Sequence, residues 1–173
     1  FGNHELMNVD GDFRYVSPKE FEEFGHFFKE SPELCNKINK PYGYLTRKAV
    51  FKPGGKLAKK LAGTRYSVIQ IGSWLFVHGG ITAKMASEYK LDYINKYIQE
   101  WLMGHDDIET MTNVNKIYHR DDDENSPFWS RTFSDCEEWN EVNGTRHFDQ
   151  TIDILNKVNN RNNDNKIRGM IVG

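Results

Sequence analysis

Cysteine is scarce: the 173 residues contain only Cys35 and Cys136. Two thiols do not make the disulfide framework of a small secreted scaffold, and the count fits a reducing compartment such as the cytoplasm. Neither opens a Cys-x5-Arg nucleophile loop, because the sixth residue after Cys35 is Pro41 and after Cys136 is Val142. Long apolar runs are absent too. None approaches the roughly 20 residues of a membrane span. There is no excess of one charge, since 23 basic residues face 25 acidic ones for a net charge of -2. Without a global positive field the chain does not read as a nucleic-acid binder. Internal repeats are missing as well. What remains, 38% apolar and 13% aromatic residues, suffices for one domain with a core.

Ser17-Pro18-Lys19-Glu20 has the form of a capping box with Pro at the first helical position, predicting a helix to about Phe28. Phe21, Phe24, Phe27 and Phe28 recur at helical spacing and read as core, with His26 on the helix surface. Pro53-Gly54-Gly55 precedes a short helix, 56–61. The β-rich runs 66–71 and 74–77, joined by Gly72-Ser73, predict a hairpin with a type II′ turn. Leu91, Ile94, Ile98, Trp101 and Leu102 mark a helix face, with Asp92 as a capping aid and Gly104 as its end. The stretch 105–138, with its acidic run Asp121-Asp122-Asp123-Glu124, reads as a long polar connection able to shape substrate choice. Phe148, Ile152, Leu155 and Val158 define a last helix, 159–166 a polar loop and 167–172 a strand. The triplet Asn143-Gly144-Thr145 has the form of a glycosylation sequon, a pattern common by chance. The alternation predicts an α/β or layered α/β/β/α architecture.

Two short segments carry chemistry. The chain opens on Phe1-Gly2-Asn3-His4-Glu5, and the second hairpin strand ends in Phe76-Val77-His78-Gly79-Gly80. Asn and His at Gly-rich strand ends suit a binuclear metal site, with Asn3 and His78 sharing one divalent cation and His4 beside it as proton donor. Asn and His donors suit Mn, Fe or Zn. Two such ions activate a water and neutralise phosphate oxygens. Phe128-Trp129-Ser130-Arg131 adds a guanidinium able to hold two phosphate oxygens. Each residue has a plainer alternative: a turn for the Asn-His pair, a strand terminus for His78, a surface loop for Arg131.

Gly2-Asn3-His4-Glu5 followed by His78-Gly79-Gly80 resembles the phosphoprotein phosphatase branch of the calcineurin-like metallophosphoesterases. Phe51-Lys52-Pro53-Gly54-Gly55 with Leu57-Ala58, Leu75 to Ile81, Ile94-Asn95 leading to Trp101-Leu102-Met103-Gly104, and Trp129-Ser130-Arg131 narrow the likeness to the Shewanella-like phosphatases. The resemblance implies a four-layer α/β/β/α sandwich, of which residues 1–173 form the middle and C-terminal part. It implies two divalent metal ions, with Asn3 and His78 as ligands, His4 protonating the leaving oxygen and Arg131 binding phosphate. The implied partner is a phosphoprotein, phosphorylated on serine, threonine or tyrosine, or a small phosphomonoester, with no nucleic acid and no membrane. The alternatives are a dinucleoside-polyphosphate hydrolase of the same superfamily and a non-catalytic binding protein on the same fold. The family's Gly-Asp-x-His-Gly and Gly-Asp-x-x-Asp-Arg-Gly motifs do not occur in the chain. Gly169-Met170-Ile171-Val172-Gly173 resembles the family's Val-Gly-His-Thr, with the His expected directly after Gly173. By itself, then, the chain is expected to bind metal poorly and to be inactive.

Overall fold

The computed structural model describes residues 1–118, 124–134 and 141–173, the side chains of 141–144 excepted. Most of the acidic run (121–123), Cys136 and the sequon side chain Asn143 therefore lie outside the described residues.

Asn3 and His4, expected at a strand end, instead open helix α1 (Asn3–Asp10). The cause is local. The Gly2 N–H donates to the Glu5 carboxylate three residues on, at 2.7 Å, and this satisfies one orphan donor of a helix start. Leu6, Met7 and Val9 bury the helix's inner face, and Gly11 ends it at φ 80°. Helix α2 (Pro18–Phe28) has the predicted capping box: Ser17 accepts from the Glu20 N–H while Glu20 accepts from that of Ser17. Its aromatic face is less buried than expected. Phe21 is in the core, but Phe27 is 80% exposed, because the neighbouring short helix α3 (Pro32–Lys37) and α4 (Tyr44–Phe51) cover only one side. Helix α5 (Lys56–Thr64) runs a turn beyond its predicted end.

Strands β1 (Val68–Ile71) and β2 (Trp74–Val77) pair antiparallel with Ile71 opposite Trp74, leaving the predicted two-residue loop. Gly72 has φ 59° and Ser73 is not in the left-handed region, as a type II′ turn requires. Thr82 caps α6 (Ala83–Glu88), its hydroxyl accepting from the Met85 N–H. Helix α7 (Leu91–Met103) ends at Gly104 with φ 97°; its N-cap is Lys90, and Asp92 lies in the first turn.

The expected long connection contains a helix, α8 (Ile108–Tyr118). The Asp107 carboxylate accepts from the Thr110 N–H at 3.0 Å, an N-cap, and Val114, Ile117 and Tyr118 are buried. Helix α9 (Glu141–Val158) and strand β3 (Gly169–Ile171) complete the described elements.

The sheet order is β1-β2-β3, with β3 parallel to β2 and Phe76 opposite Ile171. The result is an α/β arrangement with one three-stranded sheet among the described residues. Two asparagines lock helices to strands. Asn95 of α7 accepts from the Ser67 and Val68 N–H groups and donates to the Val68 carbonyl. Asn156 of α9 does the same for Ile167. Val68, Leu75 and Val77 join the core with α7 residues Ile94, Ile98 and Leu102. The other face carries Ile69, Ile71, Trp74 and Ile171, all exposed. Among the described residues no helix is long and apolar enough to cross a membrane.

Candidate functional site

His78 directly follows the last residue of β2. The next residue, Gly79, donates its N–H to the Pro127 carbonyl at 2.7 Å. A Cβ there would stand 3.0 Å from the Ser130 backbone nitrogen and oxygen, closer than a side chain tolerates, so glycine lets the 126–131 turn run against the strand end. That turn is tied down. The Ser126 hydroxyl donates to the Ile117 carbonyl at 2.9 Å, the Trp129 indole donates to that of Tyr118 at 3.1 Å, and Phe128 is fully buried. Arg131 leaves this anchored turn toward solvent, and its nearest partner is the adjacent Ser130 carbonyl at 3.4 Å.

Two other segments close on the same imidazole. A methyl group on Gly2 would lie 3.3 Å from His78 Nδ1, and one on Gly173 3.6 Å from it. The Gly173 N–H donates to the His78 carbonyl at 2.9 Å. Burial, and then the Arg131 guanidinium, push the His78 pKa below its ordinary value, while the Glu5 carboxylate opposes them. His78 is therefore a neutral imidazole near pH 7, the form that binds metal.

Asn3 is 8% exposed. Among the described residues neither its amide nor the His78 imidazole has a hydrogen-bond partner. One unpartnered amide oxygen and one neutral imidazole fit part of the donor set of a Mn, Fe or Zn site. They do not enclose an ion. Among the described residues no group of three His, Cys, Asp or Glu side chains could hold one.

His4 is placed differently. It is exposed, its ring stacks on Tyr15 with centroids 4.8 Å apart and planes 16° apart. It lines a cavity of about 300 Å³ with Glu5, Asn8, Tyr15, Glu20 and Arg47. A larger cavity of about 790 Å³, bordered by Lys84, Tyr89 and Lys116, contains none of the candidate residues. The structure thus brings Gly2 to His4, His78 and Arg131 within electrostatic reach of one another, with Arg131 at the exposed edge. Glu5, Tyr15 and Arg47 were not anticipated from the sequence. Glu5 was readable as the helix-start acid three residues after Gly2, whereas Tyr15 and Arg47 carry no local signal.

The uncharacterized protein R398 of Acanthamoeba polyphaga mimivirus is 38% identical over 145 residues, covering 76% of this chain and 53% of the relative. Shewanella-like protein phosphatase 2 of Arabidopsis thaliana is 33% identical over 128 residues, covering 60% of this chain and 32% of the relative. Shewanella-like protein phosphatase 1 of Plasmodium berghei is 28% identical over 94 residues, covering 54% and 22%. The chain thus spans about half the length of the first of these relatives and less of the other two. No family model matches the chain, and no solved structure gives a significant match.

Proposed function

The chain belongs to the Shewanella-like protein phosphatase family, and on that premise we propose that the full-length protein hydrolyses phosphomonoesters at a metal-dependent site to which this segment contributes Asn3, His4, His78 and Arg131. The observation that carries this reading is the meeting of Gly2, Gly173 and the Arg131 charge around the His78 imidazole.

Asn3 and His78 would hold metal, since both present donor atoms without internal partners. A pair of divalent ions, Mn, Fe or Zn, supplies water activation and charge neutralisation when bound. Arg131 binds two phosphate oxygens in its planar fork. It is free to do so because its only printed hydrogen bond is a long one to its neighbour's carbonyl. His4, exposed and oriented by Tyr15, gives a proton to the leaving oxygen, a contribution of about 10²–10⁴ in rate. The substrate class is a phosphoprotein, on serine, threonine or tyrosine, or a small phosphomonoester, met in the cytoplasm. The bare apolar face of Ile69, Ile71, Trp74 and Ile171 fits coverage by a second sheet, as a four-layer sandwich would provide.

The test is a substrate panel on the full-length protein with Mn: para-nitrophenyl phosphate, phosphoserine, phosphothreonine and phosphotyrosine peptides, and a dinucleoside tetraphosphate. Mn-stimulated hydrolysis of monoesters, abolished by a chelator, is the expected result. Hydrolysis of the dinucleotide alone would redirect the assignment to that substrate class. No turnover of any member with any of the three metals would overturn the catalytic reading.

A further inference from the structure

Arg47, on α4, is a cation that the proposed chemistry does not use, and it is only 6% exposed. Its Nε donates to Asn8 Oδ1 at 2.7 Å. Its guanidinium carbon lies 4.6 Å from the centre of the Phe24 ring, 5.3 Å from Phe51, 5.8 Å from Phe21 and 6.0 Å from Phe13. The rings fix the guanidinium plane and favour its charge. Among the described residues nothing pairs with the two terminal nitrogens, by hydrogen bond or ion pair. Those nitrogens are not sealed off either. They reach the cavity of about 300 Å³ that Arg47 shares with His4.

A buried cation without a counter-ion is costly. The carboxylates in the same wall are already committed. Glu5 accepts from the Gly2 N–H, Asp12 pairs with Arg14 at 2.9 Å, and Glu20 accepts from the Ser17 N–H and hydroxyl at 2.9 Å. The unspent group is thus a rigid two-pronged donor, suited to a pair of anionic oxygens. Three carboxylates in the wall weigh against a dianion and favour a single negative charge.

We propose that the Arg47 cavity is a substrate subsite beside His4 that receives the carboxylate of an acidic side chain flanking the phosphorylated residue. This rests on the phosphatase reading for the phosphate's position, but the carboxylate recognition can be measured apart from turnover.

The experiment uses the full-length protein and fluorescent phosphopeptide pairs that differ only in Glu or Gln at positions flanking the phosphorylated residue. Binding is read by anisotropy and turnover by phosphate release. Native protein should prefer the Glu peptide by about tenfold or more at one flanking position. Arg47→Gln should reduce that preference to within about twofold, with Arg47→Lys intermediate because a point charge remains. Thermal denaturation checks that each variant is folded. If neither variant folds, the native comparison still decides, since absence of a Glu preference at every position overturns the proposal. A preference that survives in folded Arg47→Gln overturns it as well. A small-molecule pair, 3-phosphoglycerate against glycerol 3-phosphate, separates sources: a carboxylate preference confined to this pair overturns the peptide assignment. If a Glu preference dependent on Arg47 appears in binding while no peptide is hydrolysed, the subsite stands and the catalytic reading falls.

Discussion

The two histidines of the candidate site sit in contrasting surroundings. His78 is fixed at a strand end between Gly2, Gly173 and the Arg131 turn, partly desolvated and held neutral. His4 stands in solvent at the start of α1, touched on one face by Tyr15 and opening onto the Arg47 cavity. The first environment disfavours a proton and presents a nitrogen lone pair. The second leaves the imidazole free to exchange protons with solvent and substrate. One residue type thus serves two roles because one copy is walled in by glycines and the other is not.

The most severe way to break this contrast is His78→Ala. A ligand cannot be replaced by its neighbours where only Asn3 stands beside it, so full-length protein carrying this change should lose bound Mn by elemental analysis and fall to background turnover. Retained metal with retained activity would remove His78 from the site. His4→Asn should separate from it cleanly. Metal content stays near normal, while turnover of alkyl phosphomonoesters drops by about 10²-fold or more. An aryl phosphate with an acidic leaving group needs less proton help and should lose less. Equal losses on both substrates together with lost metal would give the two histidines the same role and end the distinction.

The parts of this arrangement differ in how legible they were. Ser17 and Glu20, Gly72-Ser73 and Gly104 announce α2, the hairpin and the end of α7, because each acts through its own backbone neighbours. Helix α4 gives no such notice. It starts at Gly43 in the left-handed region with φ 91° and no side-chain cap, and its buried residue is the charged Arg47, which spoils an apolar period. Helix α8 hides for a related reason: its first apolar residue, Ile108, is 88% exposed, and its inward face begins with Thr110. Only the Asp107 cap marked it. Asn3, His4, His78 and Arg131 were readable as a motif, but their placement was not. The Gly2 start of α1 and the close passage of Ser130 past Gly79 depend on contacts between distant segments. The pockets around Tyr15 and Arg47 arise the same way, from side chains that meet only after folding.

A milder change sharpens the boundary between the two environments. Arg131 contributes both to the neutrality of His78 and to the proposed phosphate grip. Arg131→Lys keeps the positive charge near His78 but removes the two-pronged donor, so kcat/KM for para-nitrophenyl phosphate should fall by about tenfold with metal content unchanged. Loss of metal in this variant would mean that Arg131 acts on the ligand and not on the phosphate.

The smallest effect is expected at Tyr15, the contact that distinguishes the surroundings of His4. Tyr15 is 63% exposed, so its near-parallel stack on the His4 ring is a positioning contact and not part of the core. Such aromatic pairs are worth about 0.5–1.5 kcal/mol. Freeing the imidazole should therefore cost about two- to tenfold in kcat for alkyl phosphomonoesters. Tyr15→Leu removes the stacking face, while Tyr15→Phe keeps it. The expected result is a kcat loss in Tyr15→Leu that Tyr15→Phe restores, with stability and bound metal alike in both. The loss should vanish in a His4→Asn background, because the contact acts only through that imidazole. A Tyr15→Phe defect as large as that of Tyr15→Leu would shift the role to the phenol hydroxyl. An undiminished defect without His4 would show that Tyr15 touches the substrate itself.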